Sequence, residues 1–430
     1  MNGNQTQTGA AIARAEALPV TSPFFSEETG IQAGKRLRTL ITLDNARFNE
    51  AMWLVMKRQA QIRQDTCAGA ALITGQGAIL GGWNVERVVP CDSLAKLCVA
   101  FAFFQLHADV AFLGAATDLR MASSVSDKVD ALQKAIAEAF TRANDPALQQ
   151  IGRTPAQMPR LSRLFDLPSF VSVNQAQRSQ QTLGFSESPS RQQQNAPDNW
   201  TSTTRLETML HVSNNQATTS LMADLGVPFI TAWLKRSGLA HVSGESPALW
   251  LTTPYGAFPR RSAPDPQAIT VAVDPVTVTG GPSKGQRSGQ AASVLALTVA
   301  LLRLQQGKIV NAWASETIRG RMASGAMLAD GLKKANRVVP NSERNKVGID
   351  STYRRYSEAV LLTTQAAPAS ASAAPGAPII WSGVVLDVWV PSSPRREASA
   401  RENEQHATAT RIFSELGTEF ETELARLGRG

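Results

Sequence analysis

The run Ser93-Leu94-Ala95-Lys96 sets a hydroxyl and an amine three residues apart, directly after Pro90 and at the start of a long apolar stretch. On a helix, positions i and i+3 share a face, so the amine can reach the hydroxyl. A lysine desolvated there beside another cation has its pKa lowered and becomes a base for the serine. The helix N-terminus adds backbone N–H groups for a developing oxyanion. Two fixed letters in four recur by chance, and a solvated helix turn is the competing reading of this run. Two more polar clusters follow. Ser213-Asn214-Asn215 falls between two helical segments, and Lys346-Val347-Gly348 precedes the late strands.

The elements that must position these groups are legible from periodicity. Residues 43–62 have helical spacing, with Phe48, Met52, Leu54, Val55 and Met56 apolar. Residues 67–73 and 78–83 are two apolar runs around Gly75-Gln76-Gly77, a β-hairpin pattern. Helices are expected over 93–115 and 126–141, then proline punctuation from Pro146 to Pro168, then a Gln/Ser-rich run, 173–199, with the composition of a mobile loop. Helices return over 203–239, with a stop at Gly226-Val227-Pro228, and over 288–306, whose all-round apolarity assigns it to the core. Period-two patterns mark strands at 358–364 and 379–390 across the linker QAAPASASAAPGAP, and a closing helix spans 398–427. Both ends of the chain can then contribute to one sheet around a helical insertion.

Composition narrows the function. The 430 residues are 43% hydrophobic and 18% charged, which is ordinary globular usage. The net charge of +8 is mild for this length, and without an RNP or zinc-finger pattern it does not argue for nucleic acid. Cys67, Cys91 and Cys98 allow at most one bridge, and buried inert thiols are favoured over a bridge between Cys91 and Cys98. His107, His211, His241 and His406 lack metal-ligand spacing, and no cofactor is expected. His211, two residues before Ser213, reads as a helix-end packing residue. GGPSKGQRSG at 280–289 has Gln286 where a phosphate loop needs lysine, and Arg260-Arg261 reads as part of a solvated loop. The apolar tract 97–116 is interrupted by Gln105, His107 and Asp109, which makes it a core helix of a soluble protein, and the first twenty residues do not read as a signal peptide.

Taken in order, S-x-x-K at Ser93, S-x-N at Ser213 and Lys-x-Gly at Lys346 resemble the motifs of the serine β-lactamase and penicillin-binding protein superfamily. The flanks TTRLETMLHV and ATTSLMADLG resemble that family's helices, as does SGQAASVLALTVALLRLQQGKIVNAWASETIRGRM, and together these segments cover most of 44–427. The resemblance implies an α/β (α+β) fold with an antiparallel sheet flanked by helices and an all-helical lobe with an insertion. Residues 1–30 would be a polar leader, 31–92 and 335–430 the α/β lobe, and 93–334 the helical lobe. It further implies Ser93 as the acylated nucleophile, Lys96 as its proton acceptor, and Ser213 as the proton relay to the leaving group. Asn215 would hold a substrate amide, Lys346 and Gly348 would help bind the substrate, and the backbone N–H groups of Ser93 and Ile349 would form the oxyanion hole. A β-lactam, peptide or ester substrate and a periplasmic or secreted location follow from the same resemblance.

Three departures from that pattern bear on function. Val347 stands where the family has a hydroxyl, which weakens carboxylate recognition. The first two motifs are 120 residues apart, which implies a large insertion over 106–200. Between Gln216 and Arg260 the only acids are Asp224 and Glu245, neither in the E-x-x-L-N context of a deacylating glutamate, so slow β-lactam turnover is expected. A noncatalytic binding or scaffold protein that kept the fold is the alternative.

Overall fold

The computed structural model describes residues 30–43, 49–50, 66–143, 146–187, 200–243, 248–251, 290–324, 339, 341–350, 355–365, 378–389, 407 and 411. The expected helices 43–62 and 398–427, the 280–289 segment and Arg260-Arg261 lie outside these residues, wholly or nearly so.

Six strands form the main sheet: β1 (Ile41–Thr42), β2 (Cys67–Ile73), β3 (Ala78–Trp83), β7 (Arg344–Asp350), β8 (Arg355–Gln365) and β9 (Pro378–Trp389). Their order is β1-β3-β2-β9-β8-β7. The β2–β3 hairpin turns where the glycines predicted it, with Ile73 opposite Ala78. The antiparallel expectation holds from β3 to β7, whereas β1, a two-residue edge strand, runs parallel to β3. Cys67, Ala71, Ile73, Ala359, Leu361, Val384 and Leu386 turn one face of this sheet into the main core, against α11 (Val294–Gln305).

A second sheet, not foreseen, pairs β4 (Val89–Pro90), β6 (Gln290–Ala292) and β5 (Leu249–Leu251) in the order β4-β6-β5. The 288–306 segment is therefore not helical from its start: 290–292 is strand, and α11 begins at Val294, capped by the Ser293 hydroxyl.

Helix α2 (Ala95–Ala116) is apolar on all sides because it is packed on all sides, by α3 (Val125–Arg142), α7 (Gln175–Arg178), α8 (Ser202–Leu210), α9 (Asn215–Leu225) and α10 (Val227–Arg236). Among the described residues it is the one helix long and apolar enough to cross a bilayer, and most of it is buried inside the fold. The stop before Pro228 is Gly226 at φ +79°, a conformation that costs other residues strain.

Two readings of the stretch between motifs are corrected. The prolines of 146–168 open short helices, α4 (Pro146–Arg153), a 3₁₀ turn at Pro155 and α6 (Leu167–Ser172), because a first-turn proline loses no helical hydrogen bond; α5 (Leu161–Leu164) lies between them. The Gln/Ser-rich run is ordered through residue 187: α7 has a capping box at Asn174, and buried Arg178 donates to the carbonyls of Gly114, Val173 and Thr117, each at 3.0 Å. Composition hid one arginine with three backbone partners. Residues 188–199 lie outside the described residues.

Candidate active site

Ser93 sits in a 3₁₀ turn, Asp92–Leu94, between β4 and α2. The turn is tight: Asp92 is left-handed at φ +45°, and the Leu94 N–H donates to the Cys91 carbonyl at 2.9 Å. Such a backbone costs on the order of 1–3 kcal/mol and persists where the surroundings enforce it. Here β4, paired to β6, fixes one side and the buried start of α2 the other. Lys96 lies on the first turn of α2, fully buried, with its Nζ 3.0 Å from Ser93 Oγ.

The second cluster closes on the same amine. Helices α8 and α9 are joined by residues 211–214, in which Ser213 is left-handed at φ +60° and the Asn214 side chain caps α9 through the Ala217 N–H at 2.9 Å. This conformation turns Ser213 Oγ to within 2.9 Å of Lys96 Nζ, brings its carbonyl oxygen onto the same amine, and sets Asn215 Oδ1 2.8 Å away. Ser93 and Ser213 are half-buried and Asn215 is exposed, so the cluster opens to solvent on the Asn215 side.

The third cluster is strand β7. Lys346 is 2% exposed and its Nζ is 3.4 Å from the Val347 carbonyl. Desolvation lowers its pKa to about 7. Lys96 is also lowered to about 7, first by desolvation and then by the charge of Lys346. Gly348 explains how β7 comes so near Ser93: a Cβ there would stand 3.0 Å from Asp92 Cβ, 3.1 Å from the Cys91 carbonyl oxygen and 3.1 Å from the Ser93 nitrogen. Only hydrogen fits. Ile349 follows on the same strand, opposite Tyr356, one residue from this contact.

The donor count around Lys96 restricts the chemistry. An ammonium has three protons, and four oxygens surround this one. A neutral amine has two protons and a lone pair, which must receive a hydrogen bond. Of these four oxygens only the hydroxyls of Ser93 and Ser213 can donate one, so both groups can exchange a proton with Lys96.

All seven residues singled out from sequence are thus drawn together: Ser93, Lys96, Ser213 and Asn215 by hydrogen bonds, Lys346 by its charge on Lys96, Gly348 and Ile349 by the approach of β7 to the turn. Sequence reasoning missed Asp92, whose backbone makes the turn, and Asn214, whose only signal was an N-cap residue inside the motif. His211 is at the helix end as expected, but it is exposed and does not pack. Of the two acids after the second motif, Asp224 is 2% exposed and bound to Arg205 at 2.6 Å, while Glu245 lies outside the described residues. Cys67, Cys91 and Cys98 are free buried thiols; burial pushes Cys98 up to about 12 and Cys91 well above its ordinary value. Among the described residues no cluster of His, Cys, Asp or Glu could hold a metal ion.

No protein-family model and no curated protein matches the chain. Solved structures similar to it include a β-lactamase from Chitinophaga pinensis (12% identity, covering 87% of this chain and 100% of that one, TM-score 0.43). Others are β-lactamases from Sphaerobacter thermophilus (10% identity, 86% and 96%, TM-score 0.40) and Desulfarculus baarsii (15% identity, 87% and 98%, TM-score 0.40). These values describe a distant likeness of overall form, and the chemistry of the site rests on its own geometry.

Proposed function

We propose that the protein is a serine hydrolase that works through an acyl-serine intermediate on β-lactam, peptide or ester substrates. The observation that carries this reading is the buried Lys96 amine bonded to two hydroxyls at once, Ser93 at 3.0 Å and Ser213 at 2.9 Å. With a pKa near 7, a substantial fraction of Lys96 is neutral at physiological pH and able to accept a proton.

In this mechanism neutral Lys96 takes the Ser93 proton as Oγ attacks the substrate carbonyl carbon. The carbonyl oxygen becomes an oxyanion facing the backbone N–H groups of Ser93 and Ile349. The proton then moves from Lys96 through Ser213 to the leaving nitrogen or oxygen as its bond to carbon breaks. Water later cleaves the Ser93 ester. Lys346 keeps a second positive charge beside the shuttle and available to an anionic substrate group. Asn215, bonded to Lys96 and exposed, takes the substrate amide in this reading.

Intact-mass analysis after incubation with a penicillin and with an activated ester tests the reading. Wild type is expected to gain one acyl group and Ser93→Ala none. Equal adducts on both would remove Ser93 from the mechanism. A wild type that takes none from either reagent favours a binding protein that kept the fold.

A further inference from the structure

Arg205 and Asp224 form the most enclosed ion pair among the described residues, and the mechanism above does not use them. Arg205, on α8, is 0% exposed, and Asp224, on α9, is 2% exposed. Arg205 Nη1 donates to Asp224 Oδ2 at 2.6 Å and to Ser220 Oγ at 3.0 Å, so one arm of the fork holds two residues of α9. The other arm, Nη2, donates to the Arg163 carbonyl at 2.9 Å and to Ser202 Oγ at 3.1 Å. The Arg160 N–H in turn donates to the Asp224 backbone carbonyl at 2.7 Å, and the Arg160 and Arg163 guanidiniums approach the carboxylate at 3.5 and 3.8 Å.

The helices joined by this pair are the two that frame the second motif. Only residues 211–214 separate them, and that loop is tied to both: Asn214 N–H to the Thr208 carbonyl at 3.1 Å on α8, Thr218 Oγ to the Asn214 carbonyl at 2.7 Å on α9. A short loop fixed at both ends moves with its helices. Three oxygens bonded to Lys96 Nζ belong to Ser213 and Asn215, so a change in how α8 meets α9 displaces three contacts of the shuttle together.

We infer that Arg205 is a positioning residue for the Lys96 shuttle, acting through Asp224 to set the loop that carries Ser213 and Asn215. The inference rests on the acyl-serine reading for its consequence in catalysis, though not for the geometry it asserts. The charged groups of the neighbouring elements, Lys346 on β7 and Asp92 in the turn, stay in place when Arg205 is changed. Arg160 and Arg163 remain beside Asp224.

The experiment compares wild type with Arg205→Met, Arg205→Lys and Asp224→Asn. Two quantities are read: the single-turnover acylation rate with a chromogenic ester, and the titration midpoint of the Lys96 amine. The midpoint is followed by NMR in protein labelled at lysine Cε and assigned with Lys96→Arg. Arg205→Met should slow acylation by about 10²-fold, as expected when reacting groups shift by an ångström. It should also move the Lys96 midpoint by about half a pKa unit or more, since hydrogen bonds to the amine are altered. Arg205→Lys should recover part of both effects. It also serves as the test variant should Arg205→Met fail to fold, because it keeps a cation on Asp224 but loses the fork. A midpoint left at its wild-type position overturns the assignment, whatever happens to the melting temperature. If wild type takes no acyl group, the hydrolase reading fails while the midpoint still decides the positioning role.

Discussion

Lys96 and Lys346 bring two buried amines into one site, and the charge of Lys346 is set against that of Lys96. Lys96 is the one enclosed by acceptors; the Lys346 amine has the Val347 carbonyl at 3.4 Å. Both are held to about 7, against an ordinary 10.5.

The pair makes stability depend on pH with a definite sign. Both folded-state values lie below the unfolded one, so between about pH 7 and pH 10.5 these two amines bind more protons in the unfolded chain. Stability should rise with pH from about 7 up to the ordinary thiol range, where the raised Cys91 and Cys98 begin to oppose the slope, and the cost of burying both ammoniums should be complete below about pH 7. Denaturant midpoints at pH 6.5, 7.5 and 8.5 would show the slope; Lys346→Met should flatten it. That variant should also be more stable at pH 7, by about 1–4 kcal/mol, the range seen when buried charges give way to apolar groups.

Lys346→Met should shift the acid limb of acylation as well. With the neighbouring charge gone, the Lys96 amine holds its proton to higher pH. Acylation should therefore fall more at pH 6 than at pH 9. A rate lowered equally at both would mean that Lys346 acts on substrate binding and not on Lys96.

Gly348→Ala puts a methyl about 3 Å from two backbone atoms of the nucleophile turn. Forced overpacking costs about 1–3 kcal/mol, and here the strain falls on Cys91 and Ser93 themselves. Acylation should drop by about 10²-fold. Gly320→Ala, where a Cβ meets nothing within 4 Å, is the control and should not slow acylation. Comparing melting temperature with acylation rate for both separates strain at the turn from general damage.

Arg178→Ala removes two hydrogen bonds between α7 and the end of α2, to Gly114 and Thr117, and a third to Val173 just before α7. Each bond to a charged donor contributes about 1.5–3 kcal/mol, so protection from hydrogen exchange should be lost across residues 174–187. The acylation rate should hold, because the affected end of α2 is remote from Lys96.

Deacylation is expected to lag. Asp224 is occupied by arginines and is not free to activate water, and general-base help is worth about 10²–10⁴ in rate. Stopped-flow kinetics with a chromogenic cephalosporin should give a burst and then slow turnover. Fast linear hydrolysis that disappears in Glu245→Gln would identify Glu245 as the base that this expectation omits.

The candidate site was more legible in the sequence than the parts that hold it. Ser93, Lys96, Ser213 and Lys346 stood out through the order of three short motifs, which carried the resemblance where S-x-x-K by itself is weak. Asp92 and Gly348 act through backbone and through empty space, which a pattern of letters records only as permission. The long helices and the late strands followed from period. The β4-β6-β5 sheet did not, since strands of two or three residues carry no period. Nothing in the sequence marked Arg205, Arg178 and Asp224 as buried, because their partners lie 19, 61 and 64 residues away.

That small sheet has one more consequence. Leu251 and Gln290 are register partners, so two points far apart in the sequence are held at one step of a ladder. Because β6 pairs with β5 on one side and with β4 on the other, it links residues 249–251 to the strand that precedes the Ser93 turn. The small sheet is a brace. A substitution that loosens β5 or β6 therefore reaches the turn that carries Ser93 through β4, without touching a residue of the proton shuttle.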